Sequence, residues 1–213
     1  MTPNFFKHED EILESILSSI EKVLETKEYF RLCLSGGTSI IKTLRQFSSQ
    51  NIPWRKIIVY QTDERVVSLN SEHSNYYWIR NFLENTGAKI MPFYDGNSIL
   101  GSMKSYNSYL YEYAINKDST FDLLLLGFGE DGHIASLFSN SQNIKSVDEL
   151  LYVEEKHNGF ERISLSLAQL KRSECTYIIS YGEKKLSVLN EYSNMPIHQF
   201  INGQKNITWF HGK

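Results

Sequence analysis

Cysteine is nearly absent. Cys33 and Cys175 stand alone, each inside an apolar run, and thiols so placed read as buried free side chains rather than a disulfide framework. No CxxC, HExxH or clustered His/Cys spacing occurs, so no metal site and no cofactor is expected. Long hydrophobic runs are missing too. No apolar stretch approaches the length of a membrane span, and Met1 to Asp10 has no apolar signal core, so a cytoplasmic protein that does not enter membranes is expected. Proline is sparse, at 4 residues, and no low-complexity segment, repeat or linker divides the 213 residues. One domain over residues 1–213 is the expectation. Charge of one sign is also lacking. A net charge of −3 argues against a nucleic-acid surface, while leaving room for a small basic pocket. The 13 Tyr and 12 Phe are spread without nucleic-acid motif spacing and read as packing residues.

What is present is alternation. Ile12, Leu13, Ile16, Leu17, Ile20, Val23 and Leu24 recur at helical spacing with charges between them, which predicts an amphipathic N-terminal helix. Strands are then expected at Arg31–Ser35, Ile57–Tyr60, Lys89–Tyr94, Phe121–Leu126, Arg162–Ser166, Cys175–Tyr181 and Ile207–Phe210. Between them helices are expected at Thr38–Phe47, from Ser74 to Gly87, at Tyr106–Ile115 and at Gly182–Tyr192. Ser166-x-x-Gln169 has the form of a capping box for a short helix, and Pro196 opens an irregular stretch. The alternation predicts an α/β fold with a mainly parallel sheet flanked by helices. Functional residues then belong at the C-terminal ends of the strands.

The run Leu123-Leu124-Leu125-Leu126-Gly127-Phe128-Gly129-Glu130-Asp131-Gly132-His133 is the most informative segment. The leucines read as a strand buried on both faces. The glycines allow positive φ and close approach of a ligand to backbone. His133 then stands at a strand end with a side chain suited to proton transfer near neutrality. Gly127-x-Gly129-x-x-Gly132 also spells a dinucleotide fingerprint, with Glu154 and Glu155 near the spacing of a ribose-binding acid. Such a fingerprint opens the first strand–helix unit of a nucleotide domain. Here several units precede it, and Asp131-Gly132-His133-Ile134 is unlike a helix start that packs beneath a pyrophosphate.

Polar residues gather at other strand ends as well. Ser35-Gly36-Gly37-Thr38-Ser39 precedes a helix and has the form of an anion cradle. It lacks the Gly-Lys-Ser/Thr ending of a Walker loop. Asp63-Glu64-Arg65 offers a guanidinium with carboxylates to fix its geometry. Arg162 and Lys185 are cations placed to meet a phosphate. His8, His73, His157, His198 and His211 have no comparable context and read as surface or packing residues.

Taken in order, Leu34-Ser35-Gly36-Gly37, Thr62-Asp63-Glu64-Arg65-Val66-Val67, Ser74-Asn75-Tyr76, Gly127 through Phe138, Arg162-Ile163-Ser164-Leu165-Ser166 and Gly182-Glu183-Lys184-Lys185 resemble the 6-phosphogluconolactonase family over nearly the whole chain. The resemblance implies a Rossmann-like sheet, the fold shared with glucosamine-6-phosphate isomerases. It implies metal-free hydrolysis of a sugar phosphate lactone, with His133 as general base toward water and Arg65 at the carbonyl oxygen. Asp131 would shape the turn or orient its neighbours, and Asp63 would fix Arg65. Ser35, Gly36, Gly37 and Thr38 would cradle the phosphate with Arg162 and Lys185. No cofactor, nucleic acid or membrane partner is implied, and a monomer is expected. The chain departs from the family pattern in three places. Thr38-Ser39-Ile40 replaces the usual Ser-Thr-Pro, Ile134 replaces a threonine, and Ser139 stands where a proline is usual. Two other readings stay open at this stage, an amino-sugar phosphate isomerase/deaminase and a non-catalytic sugar-phosphate sensor. Ser136-Leu137-Phe138 and Asp63-Glu64-Arg65 have the lactonase form, and no partner-binding surface for a sensor is evident.

Overall fold

The computed structural model describes residues 4–5, 10–114, 121–139, 142–190 and 194–212. In chain order its elements are β1 (Asn4–Phe5), α1 (Asp10–Leu24), β2 (Phe30–Leu34), α2 (Thr38–Phe47), β3 (Ile57–Gln61), β4 (Asp63–Arg65), α3 (Asn75–Leu83), β5 (Lys89–Ile90), α4 (Ile99–Glu112), β6 (Leu123–Leu126), β7 (Leu150–His157), β8 (Phe160–Leu165), α5 (Leu167–Leu170), β9 (Cys175–Tyr181), α6 (Glu183–Asn190), α7 (Pro196–Ile201) and β10 (Ile207–Gly212). Seven strands form one parallel sheet in the order β1-β10-β9-β6-β2-β3-β5.

The leucine run is the middle strand, β6. Its side chains alternate between the two faces, as a period of two requires. Leu124 and Leu126 join Cys33, Ile58, Tyr60 and Ile178 in one core, into which α4 sends Tyr106 and Leu110 and α7 sends Ile197 and Phe200. Leu123 and Leu125 join Leu32, Leu34, Val59 and Ile179 in the other, covered by α1 through Ile12, Ile16 and Ile20, by α2 through Ile40, Leu44 and Phe47, and by α3 through Ile79 and Leu83. Both faces are therefore apolar and covered, which is why the strands read as continuous hydrophobic runs.

A second, antiparallel sheet of order β4-β8-β7 was not expected. The chain steps from one sheet into the other at Thr62, whose N–H donates to Leu34 O at 2.9 Å and whose carbonyl accepts from Leu165 N at 2.7 Å. Asp63-Glu64-Arg65 is thus a strand, paired residue for residue with Ser164, Ile163 and Arg162. Three further expectations are corrected. The strand expected over Lys89–Tyr94 is confined to Lys89–Ile90. The stretch after Pro196 is helix α7 rather than irregular, with Pro196 in its first turn, where the missing N–H costs nothing. Helix α4 begins at Ile99 rather than Tyr106, because the Ser98 hydroxyl accepts from Gly101 N and caps it. Ser74 caps α3 through Tyr77 N and Ser166 caps α5 through Gln169 N, as the sequence predicts. Among the described residues no helix is long and apolar enough to cross a membrane.

Candidate active site

The C-terminal ends of β2, β3 and β6 open into one cleft, as a parallel sheet dictates. It holds about 210 Å³ of water-accessible space, and its wall includes Ser35, Gly36, Gly37, Thr38, Asp63, Arg65, His133, Arg162 and Lys185. Every site residue expected from the sequence lies on this wall except Asp131, which touches His133 from outside it.

One side of the cleft is the N-terminus of α2. Gly37 is its N-cap with φ 97°, and no side chain caps the first turn. Gly37, Thr38 and Ser39 face the cleft, so uncapped N–H groups and the positive end of the helix dipole meet there. The Ser35 hydroxyl has a different task. It accepts from Gly127 N at 2.8 Å and donates to Gly36 O at 3.3 Å, tying the loop after β2 to the loop after β6. Asn75 closes over the same loop. Its amide donates to Asp63 O at 2.8 Å, and a side chain at Gly36 would collide with it.

The small sheet supplies the guanidinium groups. Arg65 and Arg162 are direct cross-strand partners. Arg65 Nη1 donates to His73 O at 2.6 Å, and Arg162 Nη2 donates to His157 O at 3.2 Å. The Nε atom of each is buried without a hydrogen-bond partner. Burial lowers the Arg162 pKa from its ordinary value, Arg65 adds to the fall, and Asp63, 3.9 Å from Arg162 Nη1, opposes it. Like charges set opposite each other destabilise a strand pair, so this geometry favours an anion between them. Lys185 lines the same wall over the Phe128 ring, and burial holds its ammonium below the usual range despite Glu130.

Two carboxylates organise this end of the sheet. Asp63 Oδ2 accepts from the buried Ser136 hydroxyl at 2.7 Å. Glu64 is fully buried and accepts five hydrogen bonds, from the N–H groups of Arg65, Asn75 and Tyr76 and from the side chains of Gln61 and Ser74, all between 2.7 and 3.0 Å. Burial pushes its carboxyl up, and those donors restrain the rise.

His133 lines the same cleft. The loop after β6 closes through Gly129 N to His133 O at 2.8 Å and Gly132 N to Gly129 O at 3.0 Å, with Gly132 at φ 75°. A side chain at Gly129 would overlap the His133 ring and the Asp131 carboxylate, so glycine is required there for the two to meet. Asp131 Oδ1 is 2.5 Å from His133 Nδ1. That bond assigns the proton to Nδ1 and leaves the Nε2 lone pair as the basic site. Burial would raise the Asp131 carboxyl, but the hydrogen bond and charge from His133 hold it below the usual range. The loop turns back through a Phe128–Ile134 bridge instead of entering a helix, so the glycines do not form a dinucleotide site. Asn75 and Phe138 lie in stretches that carry the family resemblance but were given no role in the site, and His157 reads from sequence as a surface or packing residue; its stack on Phe138 joins residues from two different elements. Among the described residues no group of three or more His, Cys, Asp or Glu side chains is placed to hold a metal ion.

A family model described as glucosamine-6-phosphate isomerases/6-phosphogluconolactonase matches residues 7–209. The 6-phosphogluconolactonase of Thermotoga maritima is 30% identical, over 96% of this chain and 94% of its own. That of Borreliella burgdorferi is 30% identical, over 83% of this chain and 79% of its own. The crystal structure of the Thermotoga maritima protein superposes with a TM-score of 0.89 at 25% identity, covering 100% of this chain and 99% of that one.

Proposed function

Because the chain belongs to the family of glucosamine-6-phosphate isomerases and 6-phosphogluconolactonases, we propose that it is a lactonase that hydrolyses 6-phospho-D-glucono-1,5-lactone to 6-phosphogluconate in the oxidative pentose phosphate pathway. The observation that carries this reading is the meeting in one cleft of a base, His133 oriented by Asp131, and an anion site built from Arg65, Arg162, Lys185 and the open end of α2. The buried Ser136–Asp63 hydrogen bond joins the two stretches whose sequence has the lactonase form.

In this mechanism the phosphate rests on Gly36, Gly37 and Thr38, with Arg162 and Lys185 neutralising its charge. The ester carbonyl faces Arg65. His133 Nε2 takes a proton from water as the water oxygen bonds to the carbonyl carbon. Negative charge gathers on the carbonyl oxygen, where the guanidinium stabilises it. The ring C–O bond then breaks, and the imidazolium returns its proton to the departing ring oxygen. Asp131 stabilises that imidazolium while it lasts. The new carboxylic acid loses its proton to solvent. The whole chain serves as one unit in this reading, since the cleft draws residues from Ser35 to Lys185.

The test is hydrolysis of freshly generated lactone, coupled to 6-phosphogluconate formation and corrected for spontaneous opening. Enzyme-dependent acceleration is expected. His133→Ala should fold normally and lose about 10²–10⁴-fold of it, the usual contribution of a positioned acid–base group. Wild-type turnover in that variant would overturn the assignment of the base. Ammonia release from an amino-sugar phosphate, with no lactone turnover, would move the chain to the isomerase branch.

A further inference from the structure

The β7–β8 hairpin brings one more histidine to this end of the sheet. His157 ends β7, just before the turn where Asn158 and Gly159 adopt φ of 55° and 84°. Its ring lies flat on Phe138, 3.4 Å between centroids and 13° between planes. Phe138 is itself buried, and its ring also meets that of His133, at 4.8 Å and 34°. The backbone carbonyl of His157 does something separate, accepting from Arg162 Nη2. Its Nε2 is buried without a hydrogen bond, and Glu155 Oε2, 3.8 Å away, is largely exposed, so no hydrogen bond of Nε2 accounts for the ring's placement.

Asp131 holds His133 by one edge. A ring held at one nitrogen still rocks about that bond, and a base is effective only when its lone pair stays aimed at the reacting proton. Phe138 supplies a surface that limits the rocking, provided that Phe138 is itself fixed. We infer that His157 is a positioning residue for the reaction: by stacking on Phe138 it fixes the surface against which His133 is aligned. This inference rests on the lactonase reading of the cleft. The Phe138 ring also lies 5.7 Å from the Arg162 guanidinium, but Arg162 keeps its hydrogen bond to the His157 carbonyl when the side chain is replaced, so the replacement weighs more on turnover than on phosphate binding. The stack needs a flat ring and not a titratable nitrogen.

The experiment compares His157→Ala and His157→Phe with wild type in lactone turnover, and follows the ring resonances of His133 by NMR without substrate, assigned by their loss in His133→Ala. In His157→Ala, kcat should fall about 3- to 10-fold, the scale of one aromatic pairing, with KM near wild type. The His133 resonances should shift. His157→Phe should recover most of the lost rate and return those resonances toward their wild-type positions. Wild-type kcat with unmoved resonances in His157→Ala would overturn the inference. So would a His157→Phe variant as slow as His157→Ala, or a KM that rises in step with the loss of kcat. Should His157→Ala not fold, His157→Leu replaces it, filling the volume without a flat ring: slow turnover supports the role and full turnover overturns it. If wild type itself opens no lactone, the lactonase reading fails, and the resonances still decide whether His157 aligns His133.

Discussion

Asp131 is 64% exposed at its side chain, yet it makes the shortest contact of the site, 2.5 Å to His133 Nδ1. Its carboxyl is held below the ordinary carboxylate range because the hydrogen bond and charge of His133 outweigh partial burial. A depressed carboxyl stabilises the fold above its unfolded pKa and loses that effect as pH falls through the depressed value. The Asp131 anion should therefore persist through the mildly acidic range, and its carboxyl ¹³C resonance should titrate below about pH 3.9, the ordinary value for aspartate. Asp131→Asn keeps an acceptor for Nδ1–H but removes the charge that stabilises the imidazolium. We expect kcat to fall by one to two orders of magnitude, part of the ~10²–10⁴-fold that acid–base catalysis supplies. KM should change little, because Asp131 lies off the cleft wall. An equal rise in KM would place Asp131 in substrate binding instead.

At the scale of elements, Glu64 is the joint between β4 and α3. Its carboxylate answers the N–H groups of Asn75 and Tyr76 at the start of α3 and the Arg65 N–H on its own strand. Glu64→Gln offers one acceptor oxygen where two are used, and its amide N–H₂ opposes donors. Leaving a buried donor unsatisfied costs about 1–3 kcal/mol, so denaturant unfolding should show a loss of at least that size. The sign of the pH dependence follows from burial. A carboxyl raised in the fold favours the native state at low pH and withdraws that favour as pH climbs through the raised value. The stability gap between wild type and Glu64→Gln should therefore narrow as pH rises from about 4, the ordinary glutamate range. KM should rise as Arg65 and Asn75 shift. Elements such as this joint explain what was legible in the sequence. The buried strands were, because both faces are apolar and four leucines in a row have few other uses. The polar residues at their ends were also, because an α/β sheet puts strand ends in one place. The strand Asp63–Arg65 was hidden by its length and charge, which mimic a turn. Leu150–His157 was hidden because only Leu151 and Val153 are buried, while residues 154–156 are exposed. The Phe138–His157 stack joins positions 19 apart in sequence, measured between the residue numbers that meet, and no local pattern announces such a pairing.

For the molecule as a whole, net charge is a poor guide to the ligand. The chain carries −3, yet Arg65, Arg162 and Lys185 share one cleft between the parallel sheet and the small antiparallel one. That arrangement exists only in the folded protein, so a ligand that needs it binds the native state alone. The expected product supplies both a phosphate and a carboxylate. At 100 times its Kd such a ligand adds about 2.7 kcal/mol of stability. In a chain of this size each kcal/mol moves Tm by about 2–4 °C, so 6-phosphogluconate should raise Tm by about 5–11 °C. Gluconate, which lacks the phosphate, should raise it far less at the same concentration. Arg162→Gln should lose most of the ligand-induced shift. The comparison must be between shifts rather than absolute Tm values, because removing Arg162 leaves the Asp63 carboxylate buried with less compensation. A gluconate shift as large as that of the phosphorylated acid would mean that the cleft reads the sugar and not the phosphate. The paired arginines would then have to be explained by the fold alone, which their mutual repulsion across β4 and β8 makes physically unattractive.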